Sequence, residues 1–287
     1  MDKTSLFESH RDLLFAIAYR MLGSVMEAED MVQESYLRWL GSDSDAVRSP
    51  KALLTTIVTR LCLDQLKSAR HQRESYTGPW LPEPLLTADA PSVIVDRAET
   101  ISLAFLSLLE QLTPVERGVF VLREVFDVDY ATIAQVVDRS EVNCRQLFSR
   151  AKRKLRQDGR PGNCSSAAQA RLLDSFMAAL DTGDLDTLTT VLAEDVQLWS
   201  DGGGKVAAAT RPLAGRNRVL AFFQGLNTQR PDDMRLVRAE VNRAPAWLIF
   251  AGHDLQVVFD FLVIDQRIVE IRAVRNPDKL RHLTGQV

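Results

Sequence analysis

Apolar positions recur at helical spacing from the start of the chain. Leu6, Phe7, Leu13, Leu14, Ile17, Ala18 and Met21 describe a first helix, and Met31, Tyr36, Leu37 and Leu40 a second, with a corner at Gly23 and Ser24. A polar loop runs from Ser42 to Pro50, and Pro50 is expected to open a third helix carrying Leu53, Leu54, Ile57, Val58, Leu61 and Leu66. Residues 1–75 therefore read as one helical domain. The next stretch, YTGPWLPEPLLTADAP, contains Pro79, Pro82, Pro84 and Pro91, which remove backbone donors and disfavour helix, so residues 76–91 are expected to form an extended linker.

Residues 92–157 read as a second helical domain. Thr113 is a candidate N-cap with Pro114 at the first helical position, and Glu116 completes a capping box for a helix to about Phe126. Asp129 is placed to cap a short helix with Ile133, Val136 and Val137 on its apolar face. Asp138 and Arg139 make a turn, and Ser140 caps a third helix whose Val142, Leu147, Ala151 and Leu155 are expected to face inward. This is the spacing of a helix-turn-helix. Glu141, Asn143, Arg145 and Gln146 occupy the first turns, where a major-groove helix reaches base edges; Arg150, Lys152, Arg153, Lys154 and Arg156 suit phosphates. A merely solvated, charged helix end is the plainer alternative, but it does not explain why the two-helix spacing and the basic cluster coincide.

DGRPGNCSSA, residues 158–167, is a Gly, Pro and Ser rich boundary. Beyond it, in residues 168–287, Leu172, Leu173, Phe176, Leu180, Leu185 and Leu188 describe two helices. RLVRAEV, AWLIFAG, LQVVFDFLVI and RIVEIRAV read as strands. Helices followed by hairpin-linked strands imply an α+β domain with an antiparallel sheet.

Charge sharpens this picture. The net charge is only -3, so any nucleic-acid affinity has to come from segregation. The first helices are acidic, whereas Arg48, Lys51, Arg60, Lys67, Arg70 and Arg73 face only Asp64 among acids in their stretch. The three cysteines, Cys62, Cys144 and Cys164, are widely spaced without a CxxC or a His pair, so neither a disulfide framework nor a metal site is expected. The chain shows no bilayer-length apolar run and no signal-peptide pattern, which places the expectation in the cytoplasm, with no membrane partner.

Over residues 5–157 the chain resembles the extracytoplasmic-function, or group IV, sigma factors of bacterial RNA polymerase. AEDMVQESYLRWL, Ala28 to Leu40, is similar to the family helix that docks on core RNA polymerase, which implies polymerase-binding roles for Asp30, Gln33, Glu34 and Leu37. The helix at residues 49–74 resembles the element that melts promoter DNA and reads the minus-10 sequence. The resemblance assigns Arg60, Asp64 and Lys67 to bases, and Arg70 and Arg73 to phosphates. The helix-turn-helix corresponds to the minus-35 reader, with Glu141, Asn143, Arg145, Gln146, Arg150, Lys152 and Arg153 as its DNA-facing residues. Residues 141–146 depart from the common family pattern, so base preference does not transfer.

Residues 168–287 resemble the SnoaL-like α+β cone, and sigma factors with this extension form a subgroup marked by three segments: WLPEP from Trp80, DGGGK from Asp201 and NPDKL from Asn276. The resemblance implies a regulatory contact with the sigma domains, for which Trp80, Pro82, Asp201, Gly202, Lys205, Asn276, Pro277 and Asp278 are the candidates. DGGGK lacks the spacing and terminal hydroxyl residue of a phosphate-binding loop and is expected to be a tight turn. His253, Asp254, Asp201 and Asp260 are the available acid–base groups, but they are scattered, and the alternation of VVFDFLVI puts Asp260 opposite Phe259 and Phe261, on an expected solvated face. Trp199, Phe222, Phe223, Trp247, Phe250 and Phe261 either line a small-ligand pocket or form plain core. No motif calls for a metal or cofactor, and no enzyme activity is expected. The expected function is promoter recognition and melting with core RNA polymerase, tuned by the third domain. The rival is a ligand-responsive helix-turn-helix regulator that never joins polymerase.

Overall fold

Asp2 accepts the Ser5 N–H at 2.7 Å and starts α1 (Lys3–Leu22), which Gly23 ends in the left-handed conformation at φ 68°. Ser24 caps α2 (Val25–Leu40), and α3 (Pro50–Glu74) begins at the expected proline. This computed structural model describes residues 2–42, 49–74, 76–89, 101–158, 165–228 and 233–283, and leaves the side chains of residues 69–74 outside the description. Leu14, Ile17, Met21, Val32, Leu54 and Val58 are buried where the three helices meet, each contributing about 1.5–3 kcal/mol.

α4 (Leu103–Leu109) leads into α5 (Pro114–Phe120), whose capping box forms as expected. Glu116 accepts the Thr113 N–H at 3.0 Å and donates its own N–H to Thr113 Oγ1 at 3.4 Å. The helix continues to Val125, its last stretch widened into a π turn over Val121–Val125. Asp129 caps α6 (Tyr130–Val137) and Ser140 caps α7 (Glu141–Asp158), so the helix-turn-helix is present. Asp138 makes the turn at φ 53°, a conformation that Asp tolerates better than most residues.

The chain divides into two compact units, Met1–Ser75 with Asp89–Gly159, and Tyr76–Ala88 with Arg160–Val287. Two expectations change as a result. The helical stretches 1–75 and 92–157 share one unit, because α1 is buried on every side from Leu14 to Leu22, Arg20 included, and one helical neighbourhood cannot cover it. α5 supplies the rest: Arg117 donates Nη1 to the Met21 carbonyl at 2.8 Å and Nε to the Leu109 carbonyl at 3.0 Å, and Arg20 lies 5.4 Å from the Phe126 ring centroid. The expected linker 76–91 is likewise no free tether over its described part, since Tyr76–Ala88 packs in the other unit.

That second unit is the α+β cone. α8 (Ser166–Thr182) and α9 (Leu185–Val191) are the two expected helices, and β3 (Met234–Val241), β4 (Ala244–Ala251), β5 (Asp254–Ile264) and β6 (Arg267–Val274) are the four expected strands. β1 (Leu192–Asp201), β2 (Leu213–Ala214) and α10 (Arg216–Thr228) were not legible from periodicity, and α11 (Pro277–Leu280) with the 3-10 turn Arg281–Leu283 closes the described fold. The order is β2-β1-β6-β5-β4-β3, antiparallel except where β1 runs parallel to β6. Phe259, Phe261, Val263 and Ile271 face Leu173, Phe176, Val219 and Phe223 in one core. Asp260 does point away from Phe259 and Phe261, but its face is not solvated: it is buried and pairs with its cross-strand partner Arg272 at 3.1 Å. Burial raises the carboxyl pKa, and the guanidinium opposes that rise.

Candidate nucleic-acid interface

α7 leaves one face exposed because its other face is pinned. Cys144, Ala151 and Leu155 are buried, Phe148 stacks on Phe120 with centroids 5.9 Å apart, and Lys154 pairs with Glu116 at 2.9 Å. Glu141, Arg145, Gln146, Arg150 and Arg153 are exposed and Asn143 is partly so. Arg145 is held by Glu141 at 2.9 Å and lies 4.9 Å from the Tyr130 ring centroid. Lys152 differs from the rest: it pairs with Glu124 at 2.9 Å and so helps fasten α7 to the π turn. Val142, expected to face inward, is 63% exposed beside Glu141 and Gln146. Cys144 takes the inward position instead, because Ser140 sets the helix phase and puts position 144, not 142, in line with Ala151 and Leu155. An exposed valine in a first helical turn is a group suited to a thymine methyl, and the hydrophobic pattern gave no means of telling it from core.

On α3, Asp64 and Lys67 are exposed and pair with each other at 2.9 Å. Arg60 donates Nη2 to the Gln135 carbonyl at 2.8 Å and Nε to the Val136 carbonyl at 3.2 Å, so it is engaged by the C-terminal turn of α6. Arg70 and Arg73 have side chains outside the described residues. The two candidate sets thus lie in one unit, and Arg60 of the first touches the helix-turn-helix that carries the second.

α2 carries a different surface. Asp30, Gln33 and Leu37 are exposed along one face with Glu34 partly so, and Leu37 is 62% exposed. Glu34 pairs with Arg38 at 3.0 Å. An apolar side chain standing between carboxylates, with Met26 and Leu40 also exposed, has the composition of a contact for a partner with basic side chains.

The three segments WLPEP, DGGGK and NPDKL converge within the second unit. Asp201, 0% exposed at the end of β1, accepts from Tyr76 Oη at 2.5 Å, the Leu81 N–H at 2.8 Å and Lys279 Nζ at 2.7 Å. Asn276 donates Nδ2 to Tyr76 Oη at 2.9 Å, and Lys279 Nζ lies 4.0 Å from the Trp80 ring centroid. Burial, then the carboxylate beside it, pushes the Tyr76 pKa well up. Gly202 is buried, and the turn that follows β1 passes so close to NPDKL that a Cβ on Gly203, at φ 60°, would lie 2.6 Å from Asn276 Cγ. Lys205 reaches Asp278, and Pro277 is exposed. Pro82 is buried, and Tyr76–Ala88 forms a strap that continues along the β3–β4 hairpin. Leu85 and Asn242 exchange hydrogen bonds at 2.9 and 2.8 Å, Leu86 bridges Val241, and His282 meets the Pro84 carbonyl at 2.7 Å. Trp80, Asp201 and Asn276 therefore serve contacts inside this unit.

The scattered acid–base candidates do not assemble. Asp201 and Asp260 are buried in separate networks, while His253 and Asp254 sit exposed at the β4–β5 turn. A cavity of about 310 Å³ lies between sheet and helices, and of the six candidate aromatics it is lined by Phe222, Phe223 and Phe250. Among the described residues no cluster has the makings of a metal site, and no helix is long and apolar enough to cross a membrane.

Residues 6–72 match the Sigma-70 region 2 model and residues 102–155 the Sigma-70, region 4 model. The chain is 42% identical to the ECF RNA polymerase sigma factor SigJ of Mycobacterium tuberculosis, over 96% of this chain and 93% of that protein. It is 35% identical to the probable ECF RNA polymerase sigma factor SigI of the same organism, over 99% and 97% of the two. The crystal structure of Mycobacterium tuberculosis SigJ superposes with a TM-score of 0.78 at 35% identity, covering 97% of this chain and 98% of that one. Two sigma models in the expected places and near full-length identity above the level that fixes a family lead to one conclusion: the chain belongs to the extracytoplasmic-function family of RNA polymerase sigma factors.

Proposed function

We propose that this sigma factor joins core RNA polymerase through the acidic and apolar face of α2, reads the minus-35 element with α7 and reads and opens the minus-10 element with α3. The observation that carries the reading is the capped helix-turn-helix, which pins α7 by Lys152 and Lys154 while leaving Arg145, Gln146, Arg150 and Arg153 outward. Side chains in the first turns suit base edges, and Arg150 and Arg153 further along suit phosphates. Val142 joins Glu141, Asn143, Arg145 and Gln146 in base readout. No covalent chemistry is involved, and the work is done where polymerase and chromosome are, in the cytoplasm.

The cone domain governs this activity through the strap. Residues 76–88 connect α3 to the helix-turn-helix domain in sequence, yet they are held by Asp201, Asn276 and Lys279. Once the contact between Arg60 and α6 is released, the separation that α3 and α7 can reach depends on whether the strap stays docked, because a docked strap is shorter in effective length than a free one.

Transcription by purified core polymerase on fragmented genomic DNA, with the RNA 5′ ends sequenced, tests both statements. Discrete starts sharing two upstream motifs are expected with the full chain. A truncation to residues 1–167 is expected to change their number or strength. Absence of starts with either protein would transfer belief to a regulator that never joins polymerase.

A further inference from the structure

The cavity of the cone domain has a composition that core packing does not require. Phe222, Phe223, Phe250 and Phe259 make its walls apolar, and its volume of about 310 Å³ is that of a small-molecule site. Arg275 also lines it. Among the described residues that guanidinium forms no ion pair; its one side-chain hydrogen bond runs to the Ala207 carbonyl. Arg275 is half-buried, and burial pushes its pKa down: the guanidinium has lost part of its water and has no anion in its place among the described residues. Gln256 and Asp181 complete the polar lining.

We infer that this cavity binds an amphipathic carboxylate, its apolar body among the phenylalanines and its carboxylate on Arg275. A planar guanidinium takes a carboxylate through two parallel hydrogen bonds, and that pairing gains most where water is excluded. The position matters for more than affinity. The Arg275 and Asn276 N–H groups both donate to the Asp201 carbonyl at 2.8 Å, so the ligand's anchor is the chain neighbour of a residue that holds the strap. Binding itself does not depend on the promoter reading, because it is measured without polymerase or DNA.

The test is calorimetric titration of the full chain with three probes of one chain length: octanoate, octan-1-ol and octyltrimethylammonium. Octanoate is expected to bind about tenfold more tightly than the alcohol, and the cation most weakly. Arg275→Gln should bring octanoate and octan-1-ol to within about threefold of each other, and Arg275→Lys should restore part of the preference. Gln256→Glu, a change at an exposed side chain, keeps the test valid if Arg275 variants do not fold; its added negative charge should weaken octanoate about tenfold and leave the alcohol unaffected. Parity of acid and alcohol in the parent protein, tighter binding of the cation, or no octanoate binding would each overturn the proposal.

Discussion

Lys279 Nζ meets Asp201 Oδ2 at 2.7 Å, with side-chain exposures of 7% and 0%. A buried ion pair of this kind is stabilising only because both members are fully bonded: the carboxylate also accepts from Tyr76 and Leu81, and the ammonium donates to the Leu81 carbonyl at 2.5 Å. Removing one member leaves a buried charge unpaired. Asp201→Asn is therefore expected to destabilise the protein by about 3–5 kcal/mol, read as a lower urea midpoint, with the double change Asp201→Leu and Lys279→Met costing less than the single one. A single variant as stable as the parent would show that the node does not hold the strap.

Tyr76 gives the same node a pH signature. Its phenol is held neutral by burial and by Asp201, so its folded pKa lies above the ordinary value of 10.0. A group whose folded pKa is raised contributes stability that is complete below the unfolded pKa and is lost as pH climbs from there toward the folded one. Unfolding free energy should thus fall above about pH 10 more steeply in the parent than in Tyr76→Phe, while below that pH the variant is weaker by about 1–3 kcal/mol for its lost hydrogen bonds. Parallel pH curves for the two proteins would contradict the assignment.

Leu37 separates folding from assembly. It is 62% exposed on α2, so Leu37→Asp should alter stability by no more than about 0.5 kcal/mol. Affinity for core polymerase, measured by co-elution or fluorescence anisotropy, should drop by roughly thirtyfold, the effect of losing about 2 kcal/mol at an interface centre. Unchanged affinity would remove α2 from the interface.

Changes at Arg60 and Val142 test the proposed minus-10 and minus-35 roles separately. Arg60→Ala should leave binding to a duplex carrying only the upstream motif intact while cutting open-complex formation about tenfold, as expected when a charged contact to an unpaired strand disappears. Val142→Ala should do the opposite, weakening the upstream duplex and relaxing preference at one thymine position by about 1 kcal/mol. Loss of both activities in Arg60→Ala would indicate that the change acts through the contact between Arg60 and α6 and not on DNA.

Much of this protein could be read from neighbouring residues. The capping box at Thr113 and Glu116, the caps at Asp129 and Ser140, the corner at Gly23 and Ser24, the proline that opens α3 and the period-two strands β3 to β6 are all local, because a helix end needs a nearby oxygen and a sheet face needs alternation. The acidic face of α2 and the basic end of α7 were legible for the same reason. The resemblance to sigma factors rested on those segments. Tertiary structure alone decided what lies across the chain. Tyr76 reaches Asp201 over 125 residues and Lys279 reaches Leu81 over 198, so a segment whose prolines forbid helix turned out to be docked and not free. Prolines exclude a backbone conformation without saying what the extended chain will lie against. Val142 and Asp260 went the same way: alternation and periodicity assign a residue to a face, but burial depends on what the rest of the fold lays over that face, and only the assembled molecule determines it.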